Sequence, residues 1–93
     1  MPVAHARHIL VDTEEQANDL KGQIEGGADF GEIAREHSSC PSKAQGGDLG
    51  QFGPGQMVEE FDAVIWSEDV GAVHGPVETA FGYHLIEILS RTD

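Results

Sequence analysis

Two histidines in this 93-residue chain stand where imidazoles can do chemistry. "FGYHLIEIL", from Phe81 to Leu89, has the composition of a strand. Alternation places Phe81, Tyr83, Leu85 and Leu89 on one face and His84, Ile86 and Ile88 on the other. "HARHILV", near the opposite end, puts Ala6, His8 and Leu10 on one face. An imidazole among isoleucines loses its water and needs a polar partner. If the two strands lie side by side, the rings can meet, each fixing the other's tautomer and opposing double protonation. Such a pair is either a satisfied structural contact or the polar floor of a site.

Cys40, the single cysteine, lies in a polar, turn-rich stretch rather than a core segment. As a nucleophile it needs a base such as His84 and an oxyanion hole. As a metal ligand it would join His8 and His84, although the local zinc spacings are missing. Otherwise it is a polar contact for something bound above the histidines, or a plain loop thiol. Met57 and Phe61 are one helical turn apart and read either as core or, because they follow Gly53-Pro54-Gly55, as part of an apolar pocket with Leu49, Phe52 and Phe81.

The elements that must position these residues can be read in order. The first strand is expected over 4–11. Thr13 and Gln16 form a capping box for a helix whose apolar face is Ala17, Leu20 and Ile24 and whose stop is Gly26-Gly27. Asp29 starts a second helix, with Phe30, Ile33, Ala34 and His37 on one stripe. Residues 38–56 are mainly loop, with "DLGQF" as the one short strand, and "MVEEFDAVIW" is helical again. "GAVHGPV" reads as an edge segment, because Pro76 cannot serve a central strand. The last strand is expected to end near Leu89. With its two longest strands at the termini, the chain fits an α+β domain: a small antiparallel sheet packed against helices. Of the other histidines, His5 is expected at an exposed strand end, His37 closing a helix and His74 in the edge segment.

Length and composition bound the rest. The chain suits one domain spanning 1–93, and its start at Met1-Pro2 suggests that it stands alone. Seventeen acidic against five scattered basic residues give a net charge of −12, which argues against nucleic-acid partners. No apolar run approaches the ~20 residues of a membrane span, and the N-terminal stretch lacks a signal-peptide pattern. One cysteine precludes an internal disulfide, so the expected location is the cytoplasm. The expected state is a monomer.

"RHILV", "SSCPSKAQGGDLGQFGPGQMVEEFDAVIW" and "GPVETAFGYHLIEIL" together closely resemble the parvulin-type peptidyl-prolyl cis/trans isomerases, in particular the small single-domain bacterial kind. The resemblance covers nearly the whole chain. It implies a four-stranded antiparallel sheet surrounded by helices, with His8 and His84 as the hydrogen-bonded floor of an active site. It implies further that Thr79 orients the pair and that Cys40 faces the prolyl amide, where the family carries Cys or Asp. Leu49, Met57 and Phe61 would take the proline ring, with Phe52 and Phe81 as further walls. Substrates would be X–Pro bonds in peptides and in unfolded or flexible protein segments. A proline-binding or chaperone module with little catalysis is the alternative.

The chemistry suits such residues. Amide resonance sets a barrier of ~18–20 kcal/mol, and unaided X–Pro bonds interconvert over tens to hundreds of seconds. No bond breaks, so neither metal nor cofactor is required. Acceleration by ~10,000-fold needs only ~5.4 kcal/mol of preference for the twisted amide. The phospho-specific branch carries a basic cluster after the first strand; here "VDTEEQ" offers Asp12, Glu14 and Glu15 instead. Those acids would repel a phosphate, so no phospho-specificity is expected.

Overall fold

The computed structural model describes residues 2–92; Met1, on which the stand-alone expectation rested, and Asp93 lie outside the described residues. Strand β1 (Val3–Val11) is followed by helices α1 (Glu14–Glu25) and α2 (Phe30–His37), a 3-10 turn (Pro41–Gln45), strand β2 (Asp48–Phe52), helix α3 (Glu59–Ser67) and strands β3 (Val73–Thr79) and β4 (Gly82–Thr92). The sheet order is β2-β1-β4-β3, antiparallel throughout. This is the α+β arrangement of four antiparallel strands and three helices.

Period-two alternation splits the core into two layers, one on each face of the sheet. Ile9, Val11 and Leu85 meet Ala17 and Leu20 of α1 and Phe30, Ile33 and Ala34 of α2. On the other face Ala4, Ala6, Ile86 and Ile88 meet Phe52 and the α3 residues Phe61 and Ile65. His8 and His84 belong to this second face. The N-caps form at the expected residues: the Thr13 side chain accepts from the Gln16 N–H at 3.2 Å, the N-cap half of the expected capping box, and that of Asp29 from the Glu32 N–H at 3.0 Å. β3, with its cis Gly75–Pro76 bond, is an edge strand, as Pro76 requires.

Three boundaries and the surroundings of two histidines differ from expectation. β4 runs to Thr92 rather than Leu89, because its polar end is still paired with β1 and Arg91 donates to the carbonyls of Ile65 and Glu68 at the end of α3. Phe81 sits in the turn before β4, not on its face, and is 69% exposed. α3 begins at Glu59, since the Gly53–Gly55 segment turns back on Asp62, whose carboxylate accepts the Gly55 N–H; Met57 therefore precedes the helix. His37 ends α2 but is exposed, off the buried stripe, beside Glu36. His5 is half-buried rather than exposed, held to Asp48 at 2.8 Å. His74 lies in β3, bonded to the Asp69 carbonyl. Among the described residues no helix is long and apolar enough to cross a membrane.

Candidate active site

The antiparallel register sets Leu10 opposite His84 and His8 opposite Ile86, so the two histidines are diagonal neighbours on one face. Their long side chains close the diagonal: Nδ1 of His8 and Nδ1 of His84 are 3.0 Å apart, with the rings nearly parallel at 16° and centroids 5.2 Å apart. Thr79, at the end of β3, reaches the far side of His84, its Oγ1 lying 2.8 Å from Nε2. The same oxygen accepts the Phe81 N–H at 3.1 Å. In the tautomer in which the Thr79 hydroxyl donates to His84 Nε2, His84 carries its proton on Nδ1 and donates to His8, leaving His8 protonated on Nε2. That Nε2 is buried with no hydrogen-bond partner among the described residues.

Burial holds both rings neutral. Loss of water, reinforced by His84, lowers the pKa of His8 from 6.5 to about 4. Burial also lowers that of His84, against a smaller opposing pull from Glu60.

Above the rings lies a groove of about 430 Å³. Phe61 stands nearly perpendicular to both imidazoles, with centroids at 5.6 and 5.8 Å. Leu49, Met57 and Phe81 continue the apolar lining, and Cys40 borders it. All these expected residues come together. Phe52 does not line the groove: it is buried behind Phe61, with ring centroids 6.5 Å apart, and acts as backing rather than wall. Thr79 does not line the groove and acts on it through His84 and the Phe81 N–H.

Four lining residues were not expected: Leu10, Ser39, Pro41 and Val58. Leu10 was legible, since it shares the face of His8. Ser39 and Pro41 enter because Ser38, also unforeseen, fastens their loop to β1. The buried Ser38 hydroxyl accepts the N–H groups of Leu10 (3.0 Å) and Cys40 (3.3 Å), and the Ser39 N–H donates to the Leu10 carbonyl at 2.7 Å. This anchoring sets Cys40 at the groove. Ser42 Oγ donates to Cys40 Sγ at 3.2 Å. Both nitrogens of His84 are already engaged, so the base that a nucleophilic Cys40 would need from it is not on offer.

Comparison with known proteins agrees with this geometry. A family model, "Rotamase: PPIC-type PPIASE domain", matches residues 6–90. Foldase protein PrsA of Geobacillus kaustophilus is 44% identical over 91 residues, covering 97% of this chain and 32% of the relative. The crystal structure of the peptidylprolyl isomerase PrsA from Bacillus anthracis superposes with a TM-score of 0.95 at 38% identity, over 99% of this chain and 43% of that one. A third match, among the SurA-like chaperones PEB4 and periplasmic Cj1289 of Campylobacter jejuni, has a TM-score of 0.90 at 37% identity, over 97% and 39% of the two chains. The chain thus spans about a third of the length of the curated relative.

These relatives correct the expected location. The SurA-like match includes a protein described as periplasmic, Cj1289, which points away from the cytoplasm. A single cysteine shows that no internal disulfide forms, but a protein without one is equally at home in an oxidising compartment. Taken with the sheet order, the buried imidazole pair and the apolar groove above it, the match over residues 6–90 assigns the chain to the PPIC-type peptidyl-prolyl isomerase, or rotamase, domain family.

Proposed function

We propose that residues 1–93 act as one domain that speeds rotation about X–Pro bonds in peptides and in unfolded or flexible protein segments, by non-covalent stabilisation of the twisted amide. The observation that carries this reading is an apolar groove floored by two neutral, hydrogen-bonded imidazoles. Leu49, Met57 and Phe61 grip the pyrrolidine ring by shape and dispersion, with Phe81 at the rim and Phe52 fixing Phe61 from behind. His8 and His84, held by Thr79, form a floor with no net charge. Rotation strips the amide of conjugation and much of its dipole, so an apolar, charge-free surround favours the twisted form over either planar one. All the groups named here come from one chain, so the reading requires no partner subunit and a monomer suffices. A protease-coupled assay on a short X–Pro peptide tests the proposal: acceleration proportional to enzyme concentration is expected. Peptide binding without acceleration would identify a binding module instead.

Cys40 serves as a polar contact to the prolyl amide, not as a nucleophile. Cys40→Asp is therefore expected to keep kcat/KM within roughly 10-fold of wild type, a difference of about 1.4 kcal/mol. Complete inactivity in a folded variant would restore a covalent role to the thiol.

Substrate charge follows from the acids after β1 and from Glu59 and Glu60 at the start of α3, next to the lining residue Val58. Phosphoserine before proline should give no gain over serine. At low salt, Lys beside the proline should raise kcat/KM several-fold over Glu, an advantage that added salt screens out. Equal rates for the Lys and Glu peptides, or faster turnover of the phosphopeptide, would contradict this assignment.

A further inference from the structure

Gly47 and Gly75 stand against the backbones of the two site histidines. Gly47, with φ +86° just before β2, turns its Cα to the His8 carbonyl; a Cβ built there would fall well under 3.0 Å from that oxygen. Gly75, with φ +125° in β3, approaches the His84 carbonyl almost as closely, its Cβ position lying 2.5 Å from the oxygen. The sheet order β2-β1-β4-β3 makes the arrangement two-sided, each outer segment pressing on an inner strand at the residue whose side chain meets its counterpart. Both approaches fall beside irregular pairing, at shifts between His5 and Arg7 and between His74 and Val77. Each is also tethered. The His8 N–H donates to the Gly47 carbonyl at 2.9 Å, so Gly47 meets both backbone polar groups of His8. Lys21 Nζ, from α1, donates to the Gly75 carbonyl at 2.8 Å.

The imidazoles reach one another across a diagonal, at 3.0 Å between nitrogens. Lengthening that contact by roughly 0.6 Å, to ~3.6 Å, carries it out of hydrogen-bond range. We infer that Gly47 and Gly75 are positioning residues of the site: by admitting the outer segments to the His8 and His84 carbonyls, they fix the spacing of the imidazole pair. The inference rests on the functional reading above and adds two residues that touch no substrate.

Gly47→Ala and Gly75→Ala test it, with Gly71→Ala (φ +92°) and Gly27→Ala (φ +115°) as controls that impose matching backbone strain in open space. Two readouts are taken on each folded variant: NMR titration of the histidine ring nitrogens and steady-state isomerase kinetics. In the Gly47 and Gly75 variants kcat should fall about 10- to 100-fold with KM little changed, since the apolar groove remains. The His8 and His84 titrations should move up toward 6.5 as the pair separates and opens to water and to Glu60, the carboxylate facing His84 from α3. The controls should keep wild-type titrations and kcat. Identical histidine titrations in all four variants would overturn the inference. Should Gly75→Ala not fold, Lys21→Met removes only the tether on the Gly75 carbonyl; an upward shift of the His84 titration supports the inference, and an unmoved one refutes it. A wild-type chain without isomerase activity would sink the functional reading instead, because the ring titrations are read without turnover.

Discussion

Phe61→Ala is expected to lower kcat/KM by at least about 100-fold, or about 2.7 kcal/mol, and to cost about 3–5 kcal/mol of stability. The two losses have separate origins. Phe61 is 3% exposed and packs with Phe52 and Ile65 in the layer between α3 and the sheet, so truncation leaves a cavity there. The same ring stands over both imidazoles and forms a wall of the groove, so its loss also removes the surface that grips proline. Ile65→Ala separates the effects. Ile65 is fully buried in the same layer but does not line the groove. It should lose comparable stability, by denaturant titration, while keeping wild-type kcat/KM per folded molecule. If both variants lost activity only in proportion to the folded fraction, Phe61 would be a core residue and nothing more.

Acidification should destabilise the domain well above the carboxylate range. His8 titrates near 6.5 when unfolded and at about 4 when folded, because burial and His84 oppose its charge. At pH 7 both states are neutral there and the residue contributes no pH dependence. Below about pH 6.5 the unfolded chain takes up a proton that the folded chain refuses until about pH 4, so the unfolded state binds more protons and stability falls with pH. The loss accumulates to roughly 3 kcal/mol by pH 4, a fall in Tm of roughly 10 °C or more for a domain this size. His84, lowered chiefly by burial, adds in the same direction. Carboxylates such as Asp48, whose pKa is lowered by its hydrogen bonds from Gly50 and His5, lose their contribution only at lower pH. Denaturant titrations at pH 7.5, 6, 5 and 4 should show this slope in wild type and a shallower one in His8→Gln. A wild-type stability flat from pH 7 to 5 would mean that the pair accepts charge readily and is not the neutral floor described above.

Much of this architecture was legible because local physics and tertiary packing agree. The Thr13 and Asp29 side chains and the Gly26-Gly27 stop set helix ends by hydrogen bonds made within a few residues, and Pro76 confined its strand to an edge. Alternation put His84 with Ile86 and Ile88, and that face is buried as a unit. The site residues were located through the resemblance; composition and spacing left both histidines and Cys40 with open alternatives. The misreadings came where a distant contact overrides the local pattern. Phe81 continues the alternation of β4, yet Phe81 follows Thr79, whose side chain accepts its N–H in the turn. Met57 keeps helical spacing to Phe61, but the link from Gly55 to Asp62 delays the helix start. Ser38 carries no sequence signal, because its role depends on Leu10 lying beside it. Gly47 and Gly75 were equally silent: a glycine in a loop-rich stretch reads as a turn until the carbonyl facing it is known.

The central claim is that the groove above the imidazole pair turns an X–Pro bond without any chemical step. Exchange NMR of a proline-containing peptide with a few per cent of the chain present reads binding and rotation in one spectrum. The account predicts cis–trans exchange cross-peaks absent from peptide alone, accompanied by shifts of the Met57, Phe61 and His84 signals. Those same shifts without exchange cross-peaks would show a chain that holds proline and does not turn it, and would contradict the account.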